Sequence, residues 1–228
     1  MNKTIHTPCI LQLNQVHYQV SSATDNVAIL KGCDLCVEPQ QSVAIVGRSG
    51  SGKSTLLALM AGLDKPSQGQ VNLLGEDLGR LNEDQRAQLR ALQVGFVFQN
   101  FQLMPGMNAL ENVMMPLELF GLDRARERAE AALEKVGLSH RLNHQPSALS
   151  GGEQQRVAIA RAIVTEPRIL FADEPTGNLD ETTAAQIQQL LFDLQHQTTL
   201  VLVTHDMHYA ALCQRTVRIQ DGILTESV

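Results

Sequence analysis

The chain has 228 residues, enough for one large α/β domain or a domain with a modest subdomain, and too few for two independent domains. Apolar residues at 43% and charged residues at 18% describe an ordinary folded chain without repeats or low-complexity tracts. A net charge of -6 weighs against electrostatic capture of nucleic acid or anionic lipid, and the apolar runs fall far short of the roughly 20 residues of a membrane span.

The opening MNKTIHTPCI has no secretory signal features, so the expectation is a cytosolic protein with no nucleic-acid partner and no direct membrane insertion. Strands are predicted at Ile10 to Val20 and Gly32 to Val37, then at Ser42 to Val46, which runs into a glycine loop and a helix from about Ser54. Further strands are expected at Gln70 to Leu74 and Val94 to Phe98, with a charged helix Glu83 to Leu92 between them. From Asn108 to Phe120 and Arg124 to Val136 the period is helical, giving a candidate helical subdomain over residues 100–165. The last third returns to buried strands at Arg168 to Ala172 and Thr199 to Val203 around a helix Thr182 to His196, an alternation that implies a parallel sheet. A hairpin from Thr216 to Leu224, turning at Asp221-Gly222, closes the chain.

Cys33 and Cys36 form a CxxC, which raises a redox or zinc reading. On a strand these two positions face opposite sides, and no second CxxC or His pair completes a tetrahedral site. They are read as packing cysteines.

Chemistry is concentrated in three motifs. The first, GRSGSGKS from Gly47 to Ser54, fits G-x-x-x-x-G-K-[ST] between a strand and a helix, a match expected by chance in about 1% of such chains. Its glycines let the amides of Gly50, Ser51, Gly52, Lys53, Ser54 and Thr55 approach phosphate oxygens. Lys53 reaches the terminal phosphates, and the Ser54 hydroxyl is offered to magnesium. The second is the apolar strand Ile169 to Ala172 ending in Asp173 and Glu174, with Asp173 expected on magnesium and Glu174 as base for an attacking water. Kinases, GTPases, helicases and transport ATPases share these two. The third, LSGGEQQR from Leu149 to Arg156, places a serine and two glycines at a helix start, a second anion-binding N-terminus or simply a capped helix.

At LSGGEQQR the chain resembles the ATP-binding-cassette family, whose commonest signature has Gln where this chain has Glu153. That residue, ADEPTGNLD from Ala172 to Asp180 and VGFVFQNFQLMP from Val94 are similar to the cassettes paired with lipoprotein-releasing, macrolide-exporting and cell-division permeases, and among these to the YbbA-type ATPases. The resemblance implies a phosphate-loop α/β cassette spanning residues 1–228: a parallel-sheet core and an N-terminal antiparallel β part over about 1–100 and 165–228, and a helical signature subdomain over about 100–165.

It also implies an ATPase with ATP and Mg2+ as ligands, a second copy stacked head to tail, and a membrane permease that keeps the chain at the cytoplasmic face of the inner membrane. Gly47, Arg48, Ser49, Gly50, Ser51, Gly52, Lys53, Ser54 and Thr55 would hold ATP in one chain, while Ser150, Gly151, Gly152 and Glu153 of the other would meet it from across. Gln99 would touch magnesium and water, His205 the terminal phosphate, and Asp180 would communicate across the dimer. Tyr18 matches the aromatic residue that stacks on adenine, with His17 as the alternative. Phe101, Leu103, Met104, Met107 and Met115 could form a groove for a permease helix or be ordinary core. The alternative classes are a soluble cassette of DNA repair or translation, which usually carries two cassettes or a long coiled coil, and a small-molecule kinase, which has no use for LSGGEQQR.

Overall fold

The computed structural model describes residues 9–21, 26–194 and 197–226. Its first elements are β1 (Leu11–Ser21), β2 (Asn26–Val37), β3 (Ser42–Val46), α1 (Lys53–Met60), β4 (Gln68–Leu73), β5 (Glu76–Asp77) and α2 (Glu83–Gln93). Then come β6 (Val94–Phe98), α3 (Ala109–Leu119), α4 (Ala125–Lys135), α5 (Gly151–Ile163), β7 (Ile169–Asp173) and α6 (Glu181–Leu194). The chain ends with β8 (Thr199–Thr204), α7 (Met207–Ala210), β9 (Arg215–Gln220) and β10 (Ile223–Glu226). The predicted end of α6 at His196 and residues 22–25 of the loop after β1 lie outside the described residues.

One compact unit comprises Met1–Arg86 with Val203–Val228. Within it β2, β1, β4 and β5 form an antiparallel sheet in that order. Alternation buries Leu11 and Leu13 of β1 together with Leu35 and Val37 of β2, as a half-buried sheet requires. The register shifts after Leu13, where Gln15 has φ 45, and a side chain at Gly69 would collide with the Asn14 and Gln15 carbonyls. Glycine is therefore needed at Gly69 by the β1 bulge. In the same unit β3, buried throughout, pairs parallel with β9, and β9 pairs antiparallel with β10. Asp221 and Gly222 both have positive φ, which fits the tight hairpin turn expected from that dipeptide.

The second unit, Ala87–Leu202, carries strands in the order β8, β7, β6, with β6 and β7 parallel from Val94↔Ile169 to Phe98↔Asp173. Helices α3, α4 and α5 pack on one another. Asn108 and Glu111 form a capping box at the start of α3. The fully buried Asn112 ties the preceding loop down through the Met104, Met107 and Asn108 carbonyls and the Met104 N–H. Of the five residues weighed as groove or core, Met104 is exposed and Phe101, Leu103, Met107 and Met115 are partly buried, while Leu110, Val113 and Leu117 of α3 are buried.

One sequence expectation is corrected. Cys36 is not a packing cysteine but forms a disulfide with Cys9, 27 residues away. The cause is register: Leu11 lies opposite Val37, so the residues just before β1 run beside the end of β2. Cys33, on the other face, is a buried free thiol with Sγ 3.3 Å from the Gly222 carbonyl, as expected of a packing cysteine.

Candidate nucleotide site

The phosphate loop leaves β3 and turns into α1 through Gly50 and Gly52, both at positive φ (78 and 101). Nothing stands within 4 Å of a side chain built at Gly50, whereas one at Gly47 would strike the Ile219 carbonyl and Ser51 Oγ at 2.6 Å. The loop is thus open on its outer side and pressed against β9 on its inner side. Lys53 is buried to 9% exposure and donates to the Gly47 carbonyl at 2.9 Å and the Arg48 carbonyl at 3.1 Å, curling its ammonium into the loop. An ammonium has three N–H donors, so one remains for an anion. Ser54 is exposed in the first turn of α1.

A cavity of about 600 Å³ opens at this loop, lined by Gly47, Arg48, Gly50, Ser51, His205 and Met207 among others. His205 follows β8, and its backbone is held on both sides. The Asp206 N–H donates to Thr204 Oγ1, and the Asp206 carboxylate caps α7 by accepting from the His208 and Tyr209 amides. Tyr18 lies opposite Leu30 on β2, and a side chain at Gly52 would sit 3.1 Å from Leu30 Cδ2, so the strand pair carrying Tyr18 packs beside the phosphate loop. The Tyr18 hydroxyl donates to the Asp64 carboxylate, which raises its pKa and anchors the ring by its tip. The residue as a whole is partly exposed. His17 pairs with Gln68 on the neighbouring strand.

In the second unit the strand ends of β6 and β7 bring Gln99, Asp173 and Glu174 together, since Phe98 and Asp173 are paired residues. Glu174 has φ 45, a left-handed backbone that costs a non-glycine residue on the order of 1–3 kcal/mol. The turn is closed by the Gly177 amide donating to the Glu174 carbonyl at 3.0 Å. Gln99 Nε2 donates to Asn178 Oδ1 at 3.1 Å, and Asn178 Nδ2 donates back to the Gln99 carbonyl at 3.1 Å and to Asn100 Oδ1 at 2.9 Å. Beneath them the fully buried Gln155 donates to the Pro175 carbonyl at 2.6 Å and, weakly, to the Phe98 carbonyl at 3.4 Å. Asn178 and Gln155 stand inside the quoted motifs, yet their role is a through-space contact that spacing alone does not reveal.

The signature motif forms the N-terminus of α5. Ser150 Oγ accepts from the Glu153 amide at 3.2 Å, and the Glu153 carboxylate accepts from the Ser150 amide at 2.8 Å, a reciprocal capping box. The hydroxyl proton of Ser150 stays available to donate, while the Glu153 carboxylate is turned back on its own helix. That bond to the Ser150 amide, together with Arg141, holds the Glu153 carboxyl below the usual range. Gly151 leaves a side chain ordinary contact distances, but one at Gly152 would collide with the Thr183 methyl of α6. Asp180 caps α6 by accepting from the Thr183 amide at 3.0 Å.

Within the first unit, an open amide-lined loop at a helix N-terminus with an exposed hydroxyl beside it fits the phosphates of a nucleoside triphosphate and a cation on them. Within the second, carboxylates stand at the end of β7. Among the described residues no group of three or more His, Cys, Asp or Glu side chains is placed to hold a metal ion. Among the described residues no helix is long and apolar enough to cross a membrane.

The ABC transporter family profile matches residues 30–177. The chain is 51% identical to the ABC transporter ATP-binding protein YbbA of Escherichia coli strain K12 over 221 residues, covering 95% of this chain and 97% of that one. It is 48% identical to the lipoprotein-releasing system ATP-binding protein LolD of Hahella chejuensis, covering 95% and 96%. Among solved structures, the dimeric cassette MJ0796 in a post-hydrolysis state with ADP and Pi superposes with a TM-score of 0.87 at 38% identity, over 95% of this chain and 98% of that one. The cassette cbiO1 of Clostridium perfringens, part of a transporter complex, does so at 0.85 and 30% identity, over 96% and 87%. With the phosphate loop, strand-end carboxylates and signature helix all present on a cassette fold, the chain belongs to the ABC transporter family as an ATP-binding and ATP-hydrolysing subunit.

Proposed function

We propose that two copies of this chain close head to tail on MgATP and that this closure drives an inner-membrane permease of the lipoprotein-releasing or macrolide-exporting type from its cytoplasmic face. The observation that carries the reading is the presence, in one chain, of two anion-receiving helix N-termini, at Gly52 before α1 and at Ser150 before α5. On this reading a phosphate chain gripped by the first in one copy is met by the second of another copy, so the nucleotide becomes part of the interface. The dimeric cassette that this fold resembles supports the stoichiometry. The names of the LolD relatives support the kind of permease.

Within that closed pair, the Gly50 to Thr55 amides and the third N–H of Lys53 bind the phosphates, and Tyr18 stacks on the adenine. Ser54, Asp173 and Gln99 are the side chains offered to magnesium, whose charge would offset that of the phosphates. Glu174 takes the proton of the attacking water, and His205 supports the charge that develops on the terminal phosphate. Ser150 donates its hydroxyl proton and Gly152 its amide from across, with Asp180 at the same interface. Hydrolysis removes the bridging phosphate contact and lets the pair open, which is the step a permease feels.

The test is the mass in solution of the Glu174→Gln variant with and without MgATP. Conversion from monomer to dimer is the expected result. A variant that binds ATP yet stays monomeric at high protein concentration would refute shared sites in the isolated chain.

A further inference from the structure

The signature helix of this chain carries an acid where a phosphate has to arrive. Glu153, at the third helical position, is less than a quarter exposed and holds its carboxylate between two donors: the Ser150 amide at 2.8 Å on Oε2 and Arg141 Nε at 2.7 Å on Oε1. A carboxylate there favours the helix by itself, because it answers the positive N-terminus. It also spends the attraction that the same N-terminus would offer an incoming anion, and it adds a like charge close to that anion.

Arg141 lies in the 138–144 turn, and the backbone of that turn is fixed. The Arg141 amide donates to the Leu138 carbonyl and the His144 amide to the Arg141 carbonyl, each at 2.9 Å. The turn is joined to α3 by the Ala109 and Leu110 amides donating to the His144 and Leu142 carbonyls. Arg141 Nη1 also stands 3.2 Å from His144 Nε2. The guanidinium is thus delivered to Glu153 from a rigid neighbour rather than from a loose surface chain.

We propose that Arg141 is a positioning residue for the nucleotide bound across the dimer: it takes up the Glu153 charge and keeps that carboxylate turned onto the Ser150 amide, leaving the start of α5 receptive to phosphate. Glutamine at this position would form the same capping bond without needing a cation, so the Arg141 requirement is tied to Glu153 being an acid. The inference rests on the head-to-tail reading above.

The experiment uses the full chain. In Glu174→Gln protein, the MgATP concentration that gives half-maximal dimer is measured by light scattering with and without Arg141→Met. KM and kcat are measured in the same pair carrying the native Glu174. Binding of ATP to the monomer, through the phosphate loop, serves as the folding control. Arg141→Met is expected to raise both the half-maximal concentration and KM roughly tenfold, the scale of one mispaired charge at a helix terminus, with kcat within about twofold. In a Glu153→Gln background the same substitution should change neither quantity. If Arg141→Met costs as much in the Glu153→Gln background as it does beside the native Glu153, or costs nothing beside the native Glu153, the inference is overturned. A Glu174→Gln parent that never dimerises would instead sink the head-to-tail reading. Should Arg141→Met beside Glu153 fail the folding control, the comparison of Glu153→Gln with and without Arg141→Met still decides, since an effect there contradicts the charge argument.

Discussion

Gln155 sits under the strand ends that carry Gln99 and Glu174, and replacing it with methionine tests whether it holds them. The side chain has no exposure, and its Nε2 spans the Pro175 carbonyl at 2.6 Å and the Phe98 carbonyl at 3.4 Å. Methionine matches its volume but cannot donate, so the buried Pro175 carbonyl loses its donor at a cost of about 1–3 kcal/mol. The longer bond to Phe98 adds little. Gln155 Oε1 is itself buried without a hydrogen-bond partner among the described residues, and its removal returns part of that cost. The net loss is about 1–2 kcal/mol, or a fall in Tm of about 2–8 °C for a domain of this size. Both carbonyls adjoin the residues proposed for chemistry, Phe98 preceding Gln99 and Pro175 following Glu174. A shift of 1 Å at a reacting group can cost about a hundredfold, so kcat should fall by roughly tenfold or more while KM changes by less than about threefold. Thermal unfolding and steady-state ATPase assays read the two quantities. An unchanged Tm with full kcat would refute the bridging argument, and a lower Tm with full kcat would confine Gln155 to stability.

Asn178→Ala removes exposed hydrogen bonds that aim Gln99; ATPase assays should show a clear drop in kcat while urea unfolding shifts by less than about 1 kcal/mol. Reducing the Cys9–Cys36 bond, or Cys9→Ser, frees a loop of 27 residues and should cost about 3.5 kcal/mol, measured as a lower Tm with reductant in the wild type and no reductant effect in the variant. Burial pushes the Cys213 thiol up to about 12, so alkylation at neutral pH should label Cys9 and Cys36 after reduction and leave Cys213 nearly untouched, as mass spectrometry of peptides would show. Because the Ser150 amide and Arg141 depress the folded-state pKa of Glu153, its stabilising effect is present above the ordinary carboxylate range and is lost as pH falls through the depressed value. Wild-type protein should therefore lose more stability on acidification than Glu153→Gln, compared by urea midpoints.

Much of the fold was legible because local signals agreed with it. Ser42 to Val46 and Val94 to Phe98 have the predicted bounds, one a largely apolar run, rich in Val and Ile, into a glycine loop, the other a short apolar run after a charged helix. The Asp221-Gly222 turn followed from its dipeptide alone. What escaped was set by register and approach in space. The Cys9–Cys36 bond depends on how β1 is threaded against β2, and a bulge at Gln15 moves that register without leaving a periodic mark. In the candidate site, the phosphate loop and strand-end acids announce themselves by residue type, whereas Asn178, Gln155 and Arg141 act through partners 79, 20 and 12 residues away. Their side chains are ordinary polar ones, so only coordinates single them out.

The contact between Gly152 and Thr183 has a mechanical consequence. Gly152 belongs to the signature turn, while Thr183 belongs to the helix that Asp180 caps, and there is no room between them for even one methyl group. A joint without clearance transmits displacement instead of absorbing it. Pressure on the Asp180 loop therefore has a direct contact through which to reach the signature turn, and the two surfaces should gain or lose amide-exchange protection in step rather than in sequence.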